Sequence, residues 1–126
     1  MSHSVMVVDD DIIIRHMLRM LLEMEGFVVT EATDGIDALE KVGQQPPHIM
    51  ILDVMMPRLD GISVCRQLRA KPETAALPII MLSGKTQMGA AEEGLAAGAN
   101  VYLHKPMDMA ELFQNLRALL TRVALY

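Results

Sequence analysis

Asp9, Asp10, Asp53, Ser83 and Lys105 each sit at or just past the end of a short apolar run. Together they hold the groups that receiving a phosphoryl group requires. A carboxylate can act as nucleophile and form an acyl phosphate. Further carboxylates can hold a hard divalent cation, and Mg²⁺ favours one or two of them plus waters and a substrate phosphate. A serine hydroxyl can donate one hydrogen bond and a lysine can supply a point charge. Three carboxylates gathered in one place repel: at an effective dielectric of about 20, two unit charges about 4 Å apart interact by about 4 kcal/mol. A divalent cation and Lys105 would close that formal balance. Taken singly, each residue has a plainer explanation. An acidic run ahead of a helix caps it and supports its dipole. Asp53 could be a turn residue, Ser83 a helix cap and Lys105 a solvated charge. Only a fold that brings them to one edge joins them into a site.

The hydrophobic pattern predicts such a fold. Ser4–Asp9 is a short β-branched run and reads as a buried strand. Asp11 offers a helix cap, with Ile14, Met17, Leu18, Leu21 and Leu22 at helical spacing and Gly26 as the stop. Phe27–Glu31 is the second strand. A turn at Asp34-Gly35 leads to a short helix with Ile36, Leu39 and Val42 on one face, broken between Gly43 and Pro47. Ile49–Asp53 is the third strand and Ile62–Ala70 the third helix. Leu77–Leu82 is the fourth strand, with Pro78 tolerable only at its start. Thr86–Ala97 is a weak, Ala- and Gly-rich fourth helix. Val101–His104 is the fifth strand, and Asp108 caps a last helix carrying Leu112, Leu116, Leu119 and Leu120. Strands that alternate with helices and lack a polar face imply a parallel sheet covered on both sides. The predicted class is a (βα)5 flavodoxin-like, doubly wound α/β fold with strand order 2-1-3-4-5. All carboxyl ends of such a sheet lie on one edge, and ligands bind there at the switch in strand order, here between strands one and three.

Composition narrows the class. The chain has 126 residues, 52% hydrophobic and 21% charged, enough for one core and unlike a disordered chain. Its net charge is −5 and it has no long Lys/Arg cluster, which disfavours direct nucleic-acid binding. No apolar run reaches membrane-spanning length and no secretory leader is expected, so a cytoplasmic location is. The single cysteine, Cys65, cannot staple the fold and is expected to be a buried helix residue. The 12 methionines are expected mainly as core filler, the alternative being an adaptable interaction surface.

The runs VVDDD at 7–11, ILDVMMPRLDG at 51–61, IIMLSG at 79–84 and YLHKP at 102–106 closely resemble the receiver domain of response regulators, the output half of two-component signalling. The resemblance covers nearly the whole chain and implies a single receiver domain over residues 1–126. Carried over residue by residue, it makes Asp53 the phosphoacceptor. Asp9 and Asp10 match the acidic pair, Asp10 as direct Mg²⁺ ligand and Asp9 acting through water. Asp53 and the backbone carbonyl of Met55 complete the protein's share of the metal shell. Ser83 matches the switch hydroxyl, Tyr102 the switch aromatic and Lys105 the family's lysine, with a cis Lys105-Pro106 bond. Met55 and Lys85 match the two positions that tune hydrolysis, and both predict a long-lived phosphoryl group. The implied donor is a sensor histidine kinase or a histidine phosphotransfer protein. The surface of the fourth helix, fifth strand and fifth helix is implied as the one that dimerises or binds targets. Such a chain is a switch catalysing its own phosphorylation and dephosphorylation, not a metabolic enzyme.

Two rival readings are weaker. A dehalogenase-like phosphatase wants a second acid two residues after the nucleophile, where Met55 stands, and dinucleotide binding wants a glycine pattern where Asp10-Asp11-Ile12 stand. A phosphorylation-independent interaction module is the other rival, and the presence of every site residue argues against it. The effector, the kinase and whether the domain stands alone are not written in these residues.

Overall fold

The computed structural model describes residues 2–84 and 89–121. Five strands and five helices alternate: β1 (Ser4–Val8), α1 (Ile12–Met24), β2 (Val28–Ala32), α2 (Gly35–Gln44), β3 (Ile49–Asp53), α3 (Gly61–Ala70), β4 (Ile79–Ser83), α4 (Ala90–Ala96), β5 (Val101–His104) and α5 (Met109–Leu120). The strands form one parallel sheet in the order β2-β1-β3-β4-β5. This is the flavodoxin-like α/β fold that the alternating pattern predicts.

The strands are apolar because both faces are covered. Alternate residues point to opposite sides. Met6, Val8, Met50, Leu52, Ile79 and Met81 pack with Ala38, Val42, Val64, Cys65 and Leu68 of α2 and α3. Val5, Val7, Ile49, Ile51, Ile80 and Leu82 pack with Leu18, Leu22, Leu112 and Leu116 of α1 and α5. Cys65 is buried as expected, and burial pushes its thiol up, away from nucleophilic use.

Four helices start on an aspartate whose carboxylate accepts backbone N–H groups: Asp11 for α1, Asp34 for α2, Asp60 for α3 and Asp108 for α5. Asp37 is likewise occupied, by Thr33 N–H and the Lys41 ammonium. The remaining aspartates, Asp9, Asp10 and Asp53, are the ones gathered at the sheet edge.

Several boundaries move. Phe27 is outside β2 because its N–H closes the end of α1 on Leu22 O. Leu77 is outside β4 because its N–H is bonded to Thr74 O in the preceding turn. Gly43 does not break α2, which runs on to Gln44, and Ile36 is exposed rather than part of the buried face. The expected start of α4 at Thr86 lies outside the described residues. Gly89, expected within that helix, precedes it at φ 90, a left-handed conformation that a helix cannot contain. The methionines divide. Met6, Met50, Met56 and Met81 are core, whereas Met17, Met20 and Met24 on α1 and Met55 beside Asp53 are exposed. The expectation of core filler therefore holds only for the first group.

Candidate functional site

Register sets the site. Val8 of β1 pairs with Leu52 of β3, so Asp9 and Asp53, the next residues along, emerge side by side at the switch in strand order. Asp53 pairs with Leu82, and Ser83 is one step further along β4. Ser83 pairs with His104, so Lys105 leaves β5 at the same edge. The Lys105 N–H donates to Ser83 O at 2.8 Å, and the Lys105-Pro106 peptide is cis.

The side chains converge. Asp9, Asp10 and Asp53 each offer an oxygen within 4.8 Å of the others. Asp9 is 1% and Asp53 4% exposed, while Asp10 is open to solvent. The Lys105 ammonium lies 3.0 Å from Asp9 Oδ2 and 3.3 Å from Asp53 Oδ1. Asp9 Oδ1 accepts the Asp11 N–H at 2.9 Å, and Asp53 Oδ1 accepts the Met55 N–H at 3.4 Å.

The charges around the cluster shift how its groups ionise. Burial, then the neighbouring Asp9 charge, pushes Asp53 up to about 6, with Lys105 and the Met55 N–H opposing. Burial would lower Lys105, but hydrogen bonding to Asp9 and the charges of Asp53 and Asp9 outweigh it and raise its pKa. Three carboxylates against one ammonium leave the edge short of positive charge. An all-oxygen donor set with that deficit fits a hard divalent cation.

Glycine makes room twice. A Cβ on Gly61 would run into the backbone carbonyl of Asp53 and come within 2.9 Å of Val54 Cα, so α3 can begin against the end of β3 only with glycine there. A Cβ on Gly94 of α4 would lie 2.7 Å from Tyr102 Cδ2 and 2.9 Å from Met81 Sδ. The Tyr102 ring thus occupies the slot that Gly94 leaves. Its hydroxyl is buried with no hydrogen-bond partner among the described residues.

Ser83 is fully buried at the end of β4. Met55 has its side chain in solvent and its N–H on Asp53. Lys85 lies outside the described residues. None of the four histidines lies in the carboxylate cluster. His3 and His48 meet at the opposite end of the sheet, with ring centroids 5.3 Å apart. His16 faces Glu31, and His104 is exposed beside Tyr102.

Arg15 was not among the residues the sequence patterns single out. It is 7% exposed on the buried stripe of α1 with Leu18 and Leu22, and donates to Asp9 O at 2.8 Å. A charged residue on an apolar helical stripe was the available signal.

Comparison with known proteins identifies the family. The family described as response regulator receiver domain matches residues 5–117. The chain is 46% identical over 125 residues to the response regulator MprA of Mycobacterium ulcerans (strain Agy99), covering 99% of this chain and 53% of that one. Among solved structures, the receiver domain of the Francisella response regulator 1452 superposes with a TM-score of 0.89 at 34% identity, covering 96% of this chain and 98% of that one. The chemotaxis protein CheY4 of Vibrio cholerae gives 0.88 at 33% identity, covering 94% and 99%.

Fold and sheet-edge cluster define a receiver of the two-component class. The chain belongs to the response regulator receiver domain family, whose general function is phosphorylation-dependent switching. It spans about half the length of the curated relatives it matches. No helix of the described residues is long and apolar enough to cross a membrane.

Proposed function

We propose that Asp53 accepts a phosphoryl group from the phosphohistidine of a sensor histidine kinase or a histidine phosphotransfer protein, in a Mg²⁺-dependent reaction. The observation that carries this reading is the convergence of Lys105 and the buried Asp9 on the Asp53 carboxylate, with Asp10 alongside. An Asp53 oxygen attacks phosphorus in line. The O–P bond forms as the donor's N–P bond breaks, the electron pair stays on the imidazole nitrogen, and that nitrogen takes a proton from solvent. Lys105 holds the phosphoryl charge and the Ser83 hydroxyl donates to a phosphoryl oxygen.

Asp10, Asp53 and the Met55 carbonyl would hold the cation directly in this reading, and Asp9 would hold it through water. Bound there, Mg²⁺ supplies positive charge to the phosphoryl oxygens and offsets carboxylate repulsion. Ser83 moves toward the new charge, and Tyr102 follows in its slot beside Gly94. The α4, β5 and α5 surface then changes its affinity for a target or for a second copy of the chain, as a switch requires. Met55 and Lys85 slow loss of the phosphoryl group. The cytoplasm, where such kinases present their phosphohistidine, is the site of action.

The test is intact-mass measurement after incubation with Mg²⁺ and acetyl phosphate. A gain of one phosphoryl group, lost in D53A and without Mg²⁺, supports the reading. No gain from small donors or from a cognate kinase points instead to a phosphorylation-independent interaction module.

A further inference from the structure

We infer that Arg15, braced by Glu31, is a positioning residue for the acidic pair and sets the affinity of the Asp9/Asp10/Asp53 cluster for its cation. This rests on the metal reading above, but on different observations. The β1–β2 ladder ends at Val8 and Ala32, and the Asp9 N–H makes a last bond of 3.3 Å to Ala32 O. The Asp9 carbonyl lies beyond the ladder. Arg15, one helical turn into α1, reaches back and donates from Nη1 to that carbonyl at 2.8 Å, in a buried bond. Its Nε donates to Glu31 Oε1 at 2.9 Å, and Glu31 Oε2 accepts from Arg19 Nη1 at 2.9 Å. Burial would raise the Glu31 pKa, but the bonds from Arg19 and Arg15 outweigh it and hold Glu31 ionised.

Every polar group of Asp9 is thereby fixed: N–H on Ala32, carbonyl on Arg15, Oδ1 on the Asp11 N–H and Oδ2 on Lys105. Asp10 follows directly on this anchored residue, and its carboxylate has an oxygen within 4.8 Å of those of Asp9 and Asp53. Glu31, shared with Arg19, offsets part of the Arg15 charge. What Arg15 gives the cluster in this inference is geometry, through a planar fork that serves a carbonyl and a carboxylate together. A lysine at 15 would replace that fork with a single nitrogen, which holds two acceptors spaced for Nη1 and Nε less well.

Mg²⁺ titration by calorimetry decides it. Loss of a partner bonded to a direct metal ligand typically weakens binding about 10- to 100-fold; Arg15 bonds the backbone of Asp9, so R15A is expected at the low end of that range, about tenfold. R15K should recover only part of the loss, and E31Q, which loosens the brace, should raise the Kd several-fold. L119A, a core truncation in α5 away from the site, serves as a variant of lowered stability and should bind Mg²⁺ as the unmodified chain does. If R15A does not fold, R15K and E31Q carry the test. A Kd within twofold of the unmodified chain in the folded Arg15 variants, or full recovery in R15K, overturns the inference. An unmodified chain that binds no Mg²⁺ sinks the metal reading instead. Positioning is then read from hydrogen exchange of the Asp11 N–H, which should speed up in R15K and E31Q but not in L119A; unchanged exchange also overturns it.

Discussion

Lys105 reaches Asp53 across an intervening strand: the residues follow β5 and end β3, β4 lies between, and yet the ammonium is 3.3 Å from Asp53 Oδ1. The contact exists because β4 stops at Ser83, whose carbonyl holds the Lys105 N–H and aims its side chain back over the sheet edge. Removing the ammonium should leave two buried carboxylates facing each other. In metal-free K105A, the Asp53 carboxyl should titrate above its native value of about 6, and stability at neutral pH should fall by about 1–3 kcal/mol. Carbon-detected NMR of the Asp53 carboxyl and urea unfolding measure the two effects.

The raised Asp53 pKa makes a signed prediction for the metal-free protein. A carboxyl that titrates near 6 when folded and near 3.8 when unfolded holds its proton more tightly in the fold. Its contribution to stability is complete below pH about 4 and is lost as pH rises through about 6. Glu31 and Asp37, both held below the usual carboxylate range, act in the opposite sense and lose their contribution in acid. The difference between the unmodified chain and D53N isolates Asp53. D53N should be the more stable by on the order of 1 kcal/mol at pH 7 and should lose that advantage near pH 4. Saturating Mg²⁺ should shrink the gap. Equal stability of the two chains across this range would remove Asp53 as the strained charge.

Tyr102 and Gly94 make the packing that the proposed switch would move directly testable. The chain has no Trp and two Tyr, so in Y126F the intrinsic fluorescence reports Tyr102 alone. G94A should push the ring out of its slot, increase quenching of that emission by acrylamide, and cost about 1–3 kcal/mol if the ring stays. Unchanged quenching together with unchanged stability would show that the slot does not hold the ring.

The sheet topology was legible in the sequence because parallel strands buried on both faces must be continuous apolar runs, as Ile49–Leu52 and Ile79–Leu82 are. The edge cluster was legible for the same reason: Asp53 and Lys105 interrupt or end those runs. Arg15 and Glu31 were not: a charge on the apolar stripe of α1 marks Arg15 as unusual, but the roles depend on a guanidinium reaching back to a backbone carbonyl, which the pattern does not show. The slot beside Gly94 was hidden too. A glycine in a weak helix signals low propensity, and its function as clearance for Tyr102 needs the α4–β5 packing. The α1 methionines misled because Met is common at apolar spacing, and only burial separates Met6 from Met24.

Met55 and Lys85 make the phosphoryl lifetime testable. Met55 places an exposed thioether, a poor hydrogen-bonding group for water, next to Asp53. Replacing both residues as M55N/K85E should speed hydrolysis of the aspartyl phosphate by about tenfold, equivalent to about 1.4 kcal/mol of barrier. Decay of the phosphorylated mass with time measures it, and an unchanged rate removes both residues from that role.

The identity of the acceptor is tested most directly by trapping. After phosphorylation with Mg²⁺ and acetyl phosphate, borohydride reduces an aspartyl phosphate to homoserine, and tandem mass spectrometry of the digest locates it. Homoserine is expected at position 53 and nowhere else, and is absent when Mg²⁺ is withheld. Homoserine at another aspartate, a reduced glutamate, or a phosphoryl group that borohydride does not remove would contradict it.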